Sequence, residues 1–245
     1  MRGFAPHTMT GYQTHQALVA VAGVDDLLIR SLRDRQQFFD PLGEAEQLGI
    51  SSAAWPLFGL LWPSGALLAA RMAVRPVLSG ERILEIGCGL ALASLVGHRR
   101  GSDMTASDCH PLAAGFLLEN LRLNQLAPMA YRHGHWQPPT PTDTAALPLA
   151  TPARRLVEGR FDLVIGSDVL YERDDQGALA VFIGRHAKPD AEVWIVDPDR
   201  GNRAPFNRHM AALGFRLREE RLDRAATPTV AAYKGRLLVY RCGEA

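Results

Sequence analysis

From residue 82 onward, short apolar runs alternate with stretches whose apolar positions recur every three or four residues. That alternation predicts an α/β fold of βαβ units on a mostly parallel sheet. Seven strands are expected, at Arg82 to Ile86, Met104 to Ser107, Met129 to His133, Phe161 to Ser167, Glu192 to Val196, Phe215 to Arg221 and Ala232 to Tyr240. PLAAGFLLENLRLNQL shows the helical signature: Pro111 in the first turn, Leu112, Phe116, Leu117 and Leu121 on one face, Glu119 and Arg122 facing out. Between the last two strands stands RLDRAATPTVAAYKG, without a helical pattern. A closing antiparallel hairpin is therefore expected there rather than another crossover.

Two segments depart from this rhythm. Residues 137 to 160 hold five prolines, two of them in Thr-Pro steps, and read as a surface insertion between the third and fourth strands with nothing to pack. Residues 1 to 81 precede the sheet: LLIRSLRDRQQFFD is expected to pair as a small hairpin, and a later apolar run to form a helix starting at Pro63. The expected division is an N-terminal flap and cover helix over 1–81 and a ligand-binding sheet domain over 82–245.

The chain has 245 residues, enough for one sizeable core. Its 27 Lys and Arg against 26 Asp and Glu create no global field, so neither nucleic acid nor a membrane surface is expected as a partner. Cys88, Cys109 and Cys242 are widely spaced and fit a reducing compartment better than a disulfide framework. No signal-peptide core opens the chain and no run of about eighteen apolar residues goes unbroken, so a cytoplasmic monomer is expected. The eight histidines show no metal-site spacing, and no metal is expected.

Candidate chemistry gathers at the strand ends. ILEIGCGLALAS, residues 83–94, carries an apolar strand into Gly87 and Gly89 and then a helix start. In a doubly wound sheet that turn lies at the ligand edge, and glycine lets backbone approach a ligand with no Cβ in the way. A dinucleotide site would follow GxGxxG, but Leu92 stands where the third glycine belongs. NAD therefore fits poorly. Glu85 lies two positions before Gly87, and Asp108 ends the second strand nineteen residues after Gly89. A carboxylate beside the turn repels pyrophosphate and favours a cation, while a second can accept both ribose hydroxyls. Together they favour an adenosine ligand with a positively charged amino-acid tail, such as S-adenosylmethionine (SAM).

LEIGCGLALAS, ASDCHP, FDLVIGSDVLYE and the upstream WPLFGLLWPSG resemble the class I SAM-dependent methyltransferases. Within them they resemble the seven-strand protein-lysine methyltransferases marked by an Asp-x-x-Tyr motif after the fourth strand. The likeness covers roughly residues 55 to 215. It implies a Rossmann-like seven-stranded sheet of order 3-2-1-4-5-7-6 with the last strand antiparallel, SAM as cofactor, and a lysine of a protein substrate as methyl acceptor. It also implies a cofactor set of Trp62, Glu85, Gly87, Cys88, Gly89, Asp108, Cys109, Trp136 and Ser167, with Asp168 and Tyr171 at the catalytic end. Two positions depart from the family. Ala91 replaces the third glycine of GxGxG, at little expected cost because a methyl still fits. His135, in HGHW, stands where an acid would accept from the adenine amino group, leaving Trp136 to stack on adenine. Trp55 is assigned to the core or the substrate rim.

Methyl transfer is an in-line displacement, so orientation of the acceptor supplies much of the acceleration. A lysine amine, with a pKa of about 10.4 in water, must first lose a proton. Asp168 is expected to hold and orient it, and Tyr171 to wall the channel. Asp197 and Arg200, in VDPDRGNR after the fifth strand, fit either a substrate contact or a local ion pair. Two other readings stay open: an N-methyltransferase for a small nicotinamide-like or other amine, and a non-catalytic SAM-binding partner protein.

Overall fold

A computed structural model describes residues 11–136, 155–227 and 231–242. An antiparallel hairpin comes first, β1 (Thr14–Val19) on β2 (Leu27–Leu32). A single helical turn, α1 (Glu44–Gln47), a 3-10 turn (Trp55–Gly59) and α2 (Pro63–Val74) follow. The chain then alternates through β3 (Arg82–Ile86), α3 (Leu92–Arg99), β4 (Asp103–Asp108), α4 (Ala113–Leu123), β5 (Ala130–His133) and β6 (Phe161–Ser167). It ends with α5 (Ala178–His186), β7 (Ala187–Asp197), α6 (Arg203–Ala212), β8 (Phe215–Arg221) and β9 (Arg236–Cys242).

Strands β3 to β9 form one sheet in the order β5-β4-β3-β6-β7-β9-β8. Counted from the first sheet strand this is 3-2-1-4-5-7-6, as predicted, and β9 runs antiparallel to both neighbours. The central strands are apolar on both faces because helices cover both. Ile83, Leu163 and Ile165 share a core with Leu68, Leu95 and Phe116 of α2, α3 and α4. Leu84, Val164 and Ile195 share the other with Phe182 and Ile183 of α5 and Phe206 of α6.

Two asparagines one turn apart, Asn120 on α4 and Asn124 capping its C-terminus, dock the hairpin. Asn120 Oδ1 accepts the Arg30 N–H at 2.7 Å, Asn124 Oδ1 accepts the Leu28 N–H at 2.9 Å, and Asn124 Nδ2 donates to the Leu28 carbonyl at 2.8 Å. The outer edge of β2 is thereby paired. Leu27, Ile29 and Leu32 then join the core beside Trp55 and Phe116.

Several expectations are corrected. LLIRSLRDRQQFFD does not pair with itself: its first six residues are β2, and their partner is THQALV upstream, reached through a turn with Gly23 at φ 91°. The last strand begins at Arg236 rather than Ala232, and among the described residues before it the Leu222 N–H to the Gly235 carbonyl at 3.0 Å and an isolated bridge, Tyr233 to Arg224, continue the pairing. Of the proline-rich segment, 137–154 lie outside the described residues, but within 155–160 Val157 does pack. Val157 is buried and donates its N–H to the His133 carbonyl at 3.3 Å, while the His133 N–H donates to the Arg155 carbonyl at 2.7 Å. The prolines that suggested a loop end at Pro152, before this stretch.

Trp55–Val74 is long and apolar enough by composition to cross a membrane, with a mean hydropathy of 1.5, although no apolar run there is unbroken. In the fold the chain is extended at Leu60 and Trp62, between the 3-10 turn and α2. Leu68, Ala69, Met72 and Ala73 bury the inner face of α2 in the core.

Candidate active site

The carboxyl ends of β3, β4, β5 and β6 open on a cavity of about 400 Å³, a size typical of small-molecule sites. All nine residues of the expected cofactor set line it, and so do Asp168 and Tyr171. Leu57, Phe58 and Trp62 complete it from the segment before α2.

Beyond β3, Gly87, Gly89 and Ala91 all hold positive φ, at 55°, 52° and 57°. A Cβ on Gly87 would stand 2.8 Å from Val169 Cγ1, and one on Gly89 2.8 Å from the Phe58 carbonyl oxygen. Protein, as much as any ligand, therefore occupies the space that glycine leaves. Ala91 is fully buried and its methyl does fit, but the expectation of little cost is corrected. The left-handed backbone itself costs a non-glycine residue about 1–2 kcal/mol.

Glu85 is buried rather than facing solvent, and its Oε2 accepts the Ser94 N–H at 2.7 Å in the first turn of α3. Burial pushes its pKa up from 4.5 to about 7. Asp108 is buried as well: Oδ2 accepts the Gly89 N–H and Oδ1 the His110 N–H, both at 2.8 Å. Each oxygen keeps one further lone pair, so a bidentate ribose contact would share the carboxylate with the backbone. Burial raises the Asp108 pKa too, and its charge adds to the rise at Glu85. Two mutually repelling buried acids favour a cationic ligand and disfavour a phosphate. Burial also pushes the Cys109 thiol up to about 12 and the Cys88 thiol well above its ordinary range, so neither is a nucleophile at neutral pH.

No sequence pattern marks His110. It stacks on Phe58 with ring centroids 3.7 Å apart and planes 12° apart, and meets Trp55 edge-on at 5.5 Å. Burial lowers its pKa to about 3, so the ring is neutral. Nδ1 accepts the Leu112 N–H at 3.2 Å, which leaves the ring proton on Nε2. The stack ties the 3-10 turn to the end of β4. Trp55 is 1% exposed and belongs to the core rather than to a rim.

Trp62 is half-buried and donates its Nε1–H to the Leu57 carbonyl at 2.9 Å. Trp136 is half-buried against the core that holds Val169, and its Nε1 has no partner.

Asp168 follows β6 with a left-handed backbone, φ 56°, which Asp tolerates better than most residues but at a cost. Its N–H donates to the Val196 carbonyl at 3.0 Å, and Oδ1 accepts from Arg200 Nη2 at 2.8 Å. Oδ2 is buried without a hydrogen-bond partner. Burial raises the Asp168 pKa, against the pull of the Ser64 hydroxyl and the Arg200 guanidinium. Asp197 is buried, accepts the Arg200 backbone N–H at 3.1 Å, and is pushed up to about 6 by burial. The ion pair of Arg200 is not local to VDPDRGNR: its partner is Asp168, 32 residues away, and Arg200 lines the cavity. Tyr171 lies at the cavity edge, 42% exposed.

Among the described residues, buried side-chain polar atoms lack partners on Ser94, Ser107, His110, Trp136, Asp168 and Asp197. Three of these residues line the cavity, and the others adjoin Glu85, Asp108 and Arg200, which do. Native cores leave few such groups, and their concentration here suits a polar ligand. Among the described residues no group of three His, Cys, Asp or Glu is placed to hold a metal ion.

The reversal of strand order at β3, with β9 antiparallel at the far side, decides the architecture. The fold is the Rossmann-like methyltransferase fold. A methyltransferase from Pyrococcus furiosus shares it with a TM-score of 0.53 at 17% identity, over 82% of this chain and 98% of that one. The magnesium protoporphyrin IX methyltransferase ChlM of Synechocystis PCC 6803, solved with bound SAM, gives 0.50 at 17% identity over 73% and 78%. The cyclase SpnF gives 0.51 at 14% identity over 74% and 80%. No protein-family model matches the chain, and no curated protein matches it in sequence. A cyclase on the methyltransferase fold illustrates that architecture alone does not assign a reaction. The assignment has to come from the site, which lies where ligands bind in such sheets, beyond the carboxyl ends of the strands.

Proposed function

We propose that the chain is a SAM-dependent N-methyltransferase whose acceptor is a lysine side chain of a protein. The observation that carries this reading is Asp168: a carboxylate in a strained backbone, with one buried oxygen unpartnered, in the same cavity as Glu85 and Asp108. The donor set suits a cationic adenosine ligand. Glu85 would attract the ammonium of the amino-acid tail, the remaining lone pairs of Asp108 would accept from the ribose, and Trp62 and Trp136 offer ring surfaces for adenine. Gly87, Cys88, Gly89, Cys109 and Ser167 supply the rest of that wall. Bound SAM would supply a methyl group on a sulfonium, with the neutral thioether as leaving group.

Asp168 and Tyr171 act on the acceptor. Asp168 accepts a hydrogen bond from the amine and so directs the opposite lone pair, while Tyr171 limits the approach. Asp168 would thus hold the nitrogen lone pair in line with the donor methyl, and the surplus proton on nitrogen would pass to water. Tyr171, Glu172 and Arg173 are all exposed at the cavity edge, a rim accessible to a macromolecule. That favours a side chain on a protein over an enclosed small amine.

Incubating the protein with tritiated-methyl SAM and a cell lysate tests the reading. Label is expected on lysine in the protein fraction and absent with Asp168→Asn. Label confined to small molecules, or no label at all, overturns it.

A further inference from the structure

Asp168 does not meet the cavity as a lone carboxylate. Its Oδ1 lies 2.8 Å from Nη2 of Arg200, which lines the same cavity. Arg200 is anchored through its own backbone, whose N–H donates to Asp197 Oδ2 at 3.1 Å, and Asp168 through its N–H on the Val196 carbonyl at 3.0 Å. Both side chains therefore belong to one corner where β6 and β7 end. The Arg200 side chain is 35% exposed and that of Asp168 11%, so the pair is shielded from bulk water mainly on the carboxylate side.

Such a pairing is at odds with a site built to grip an ammonium. A lone buried carboxylate would bind a protonated amine as an ion pair, raise its pKa and keep its lone pair occupied by a proton. With the guanidinium alongside, the charge of Asp168 itself is balanced. An incoming ammonium then meets a like charge, while a free amine still finds a carboxylate acceptor.

We infer that Arg200 is a positioning residue which, by pairing with Asp168, makes the site take its acceptor as the free amine; this rests on the N-methyltransferase reading above. The other groups facing Asp168 are the Ser64 hydroxyl of α2, the Tyr233 phenol ahead of β9 and the Asp197 carboxylate of β7. Ser64 and Tyr233 bond each other at 2.9 Å, and burial holds the phenol neutral with its pKa raised to about 12. Asp199 and Arg203 lie further out and pair with each other. Among the described residues, Arg200 is the cation bonded to Asp168.

Arg200→Gln keeps a donor toward Asp168 and removes the charge, and Arg200→Lys restores the charge. Initial rates of methyl incorporation from tritiated SAM into lysate protein are followed from neutral to alkaline pH. In Arg200→Gln the rising limb of the profile is expected to move up by about one pH unit or more. The rate is then depressed about tenfold at neutral pH and recovers at high pH, with Arg200→Lys resembling the wild type. A uniform loss at every pH, as a merely structural role would give, or an unshifted limb, overturns the inference. A second measurement needs no turnover: carbon-13 NMR of the Asp168 carboxyl, assigned with Asp168→Asn, in the protein without SAM. Its midpoint is expected to rise in Arg200→Gln, and an unmoved midpoint overturns the inference whatever the kinetics. A wild type that methylates nothing fails the N-methyltransferase reading and this one with it. A wild type that methylates normally beside an unshifted Arg200→Gln fails this one alone.

Discussion

The Gly89 amide donates to Asp108 Oδ2 at 2.8 Å, and this bond ties the glycine turn after β3 to the end of β4. The carboxylate proposed to hold ribose is thus also a brace of the turn. Asp108→Ala is expected to weaken SAM binding by about 1.5–3 kcal/mol. It should lower the melting temperature as well, because the Gly89 and His110 amides lose their acceptor. Asp108→Asn keeps one acceptor oxygen and should retain more stability than affinity. Calorimetric titration and thermal melts of the two variants read the effects separately, and an undiminished melt in Asp108→Ala would show that the brace is dispensable.

Asp168→Asn should keep SAM affinity within a few-fold and cut methyl transfer by about a hundredfold or more, the pattern of an interaction made chiefly in the transition state. Asn tolerates the φ of 56° that Asp168 holds, so the melting temperature should change little. Tyr171→Phe should cost less activity, since it keeps the ring at the cavity edge. Single-turnover assays alongside binding measurements decide this. Undiminished transfer in Asp168→Asn would reduce the residue to a turn former.

The buried acid Glu85 makes stability depend on pH. Its folded pKa of about 7 lies above the value of about 4.3 in an unfolded chain. The native state therefore binds the proton more tightly, and the associated stability is full below the unfolded value and lost as pH rises through about 7. His110, lowered to about 3 by burial, has the opposite slope below about pH 6.5, so wild type alone is a poor reporter. Glu85→Gln, whose amide oxygen can still accept the Ser94 N–H, should gain on wild type in melting temperature as pH rises from 5.5 to about 8. SAM should stabilise the wild type more at the upper end of that range. A variant whose advantage is flat with pH would mean that Glu85 is not a buried, reluctant anion.

Ala91→Gly should stabilise the protein by about 0.5–1 kcal/mol, the left-handed strain relieved less the extra entropy that glycine loses on folding. Denaturant unfolding measures it directly. Destabilisation instead would indicate that the buried methyl contributes more by packing than the backbone strain costs.

Local pattern was enough for most of the scaffold. The bounds of β3, β6 and β8 and the start of α2 follow from apolar periodicity and from a proline at a first helical position, signals contained in a few consecutive residues. Glu85, Gly87, Gly89 and Asp108 were legible for the same reason, whereas the rest of the cavity wall, Asp168 and Tyr171 included, was implied by the family resemblance. EIGCG, ASD and SDVLY each place their polar residues at the end of an apolar strand, and strand ends in a doubly wound sheet converge.

Contacts between distant segments were beyond that reach. LLIRSLRDRQQFFD has apolar and polar positions that suit a strand, but nothing within it names THQALV as its partner or Asn120 and Asn124 as its dock, about ninety residues away. Prolines made residues 155–160 look unpacked because they describe backbone freedom and not what Val157 will meet. The unusual proton affinities of Glu85, Asp108 and His110 arise from desolvation, which exists only once other segments have covered them. Strand periodicity and strand-end chemistry are properties of neighbours in the chain, so the amino-acid order alone decided the strands and the edge at which the cavity opens. The pairing of Arg200 with Asp168, 32 residues apart, depends on β6 and β7 ending side by side, and only the folded chain brought those charges together.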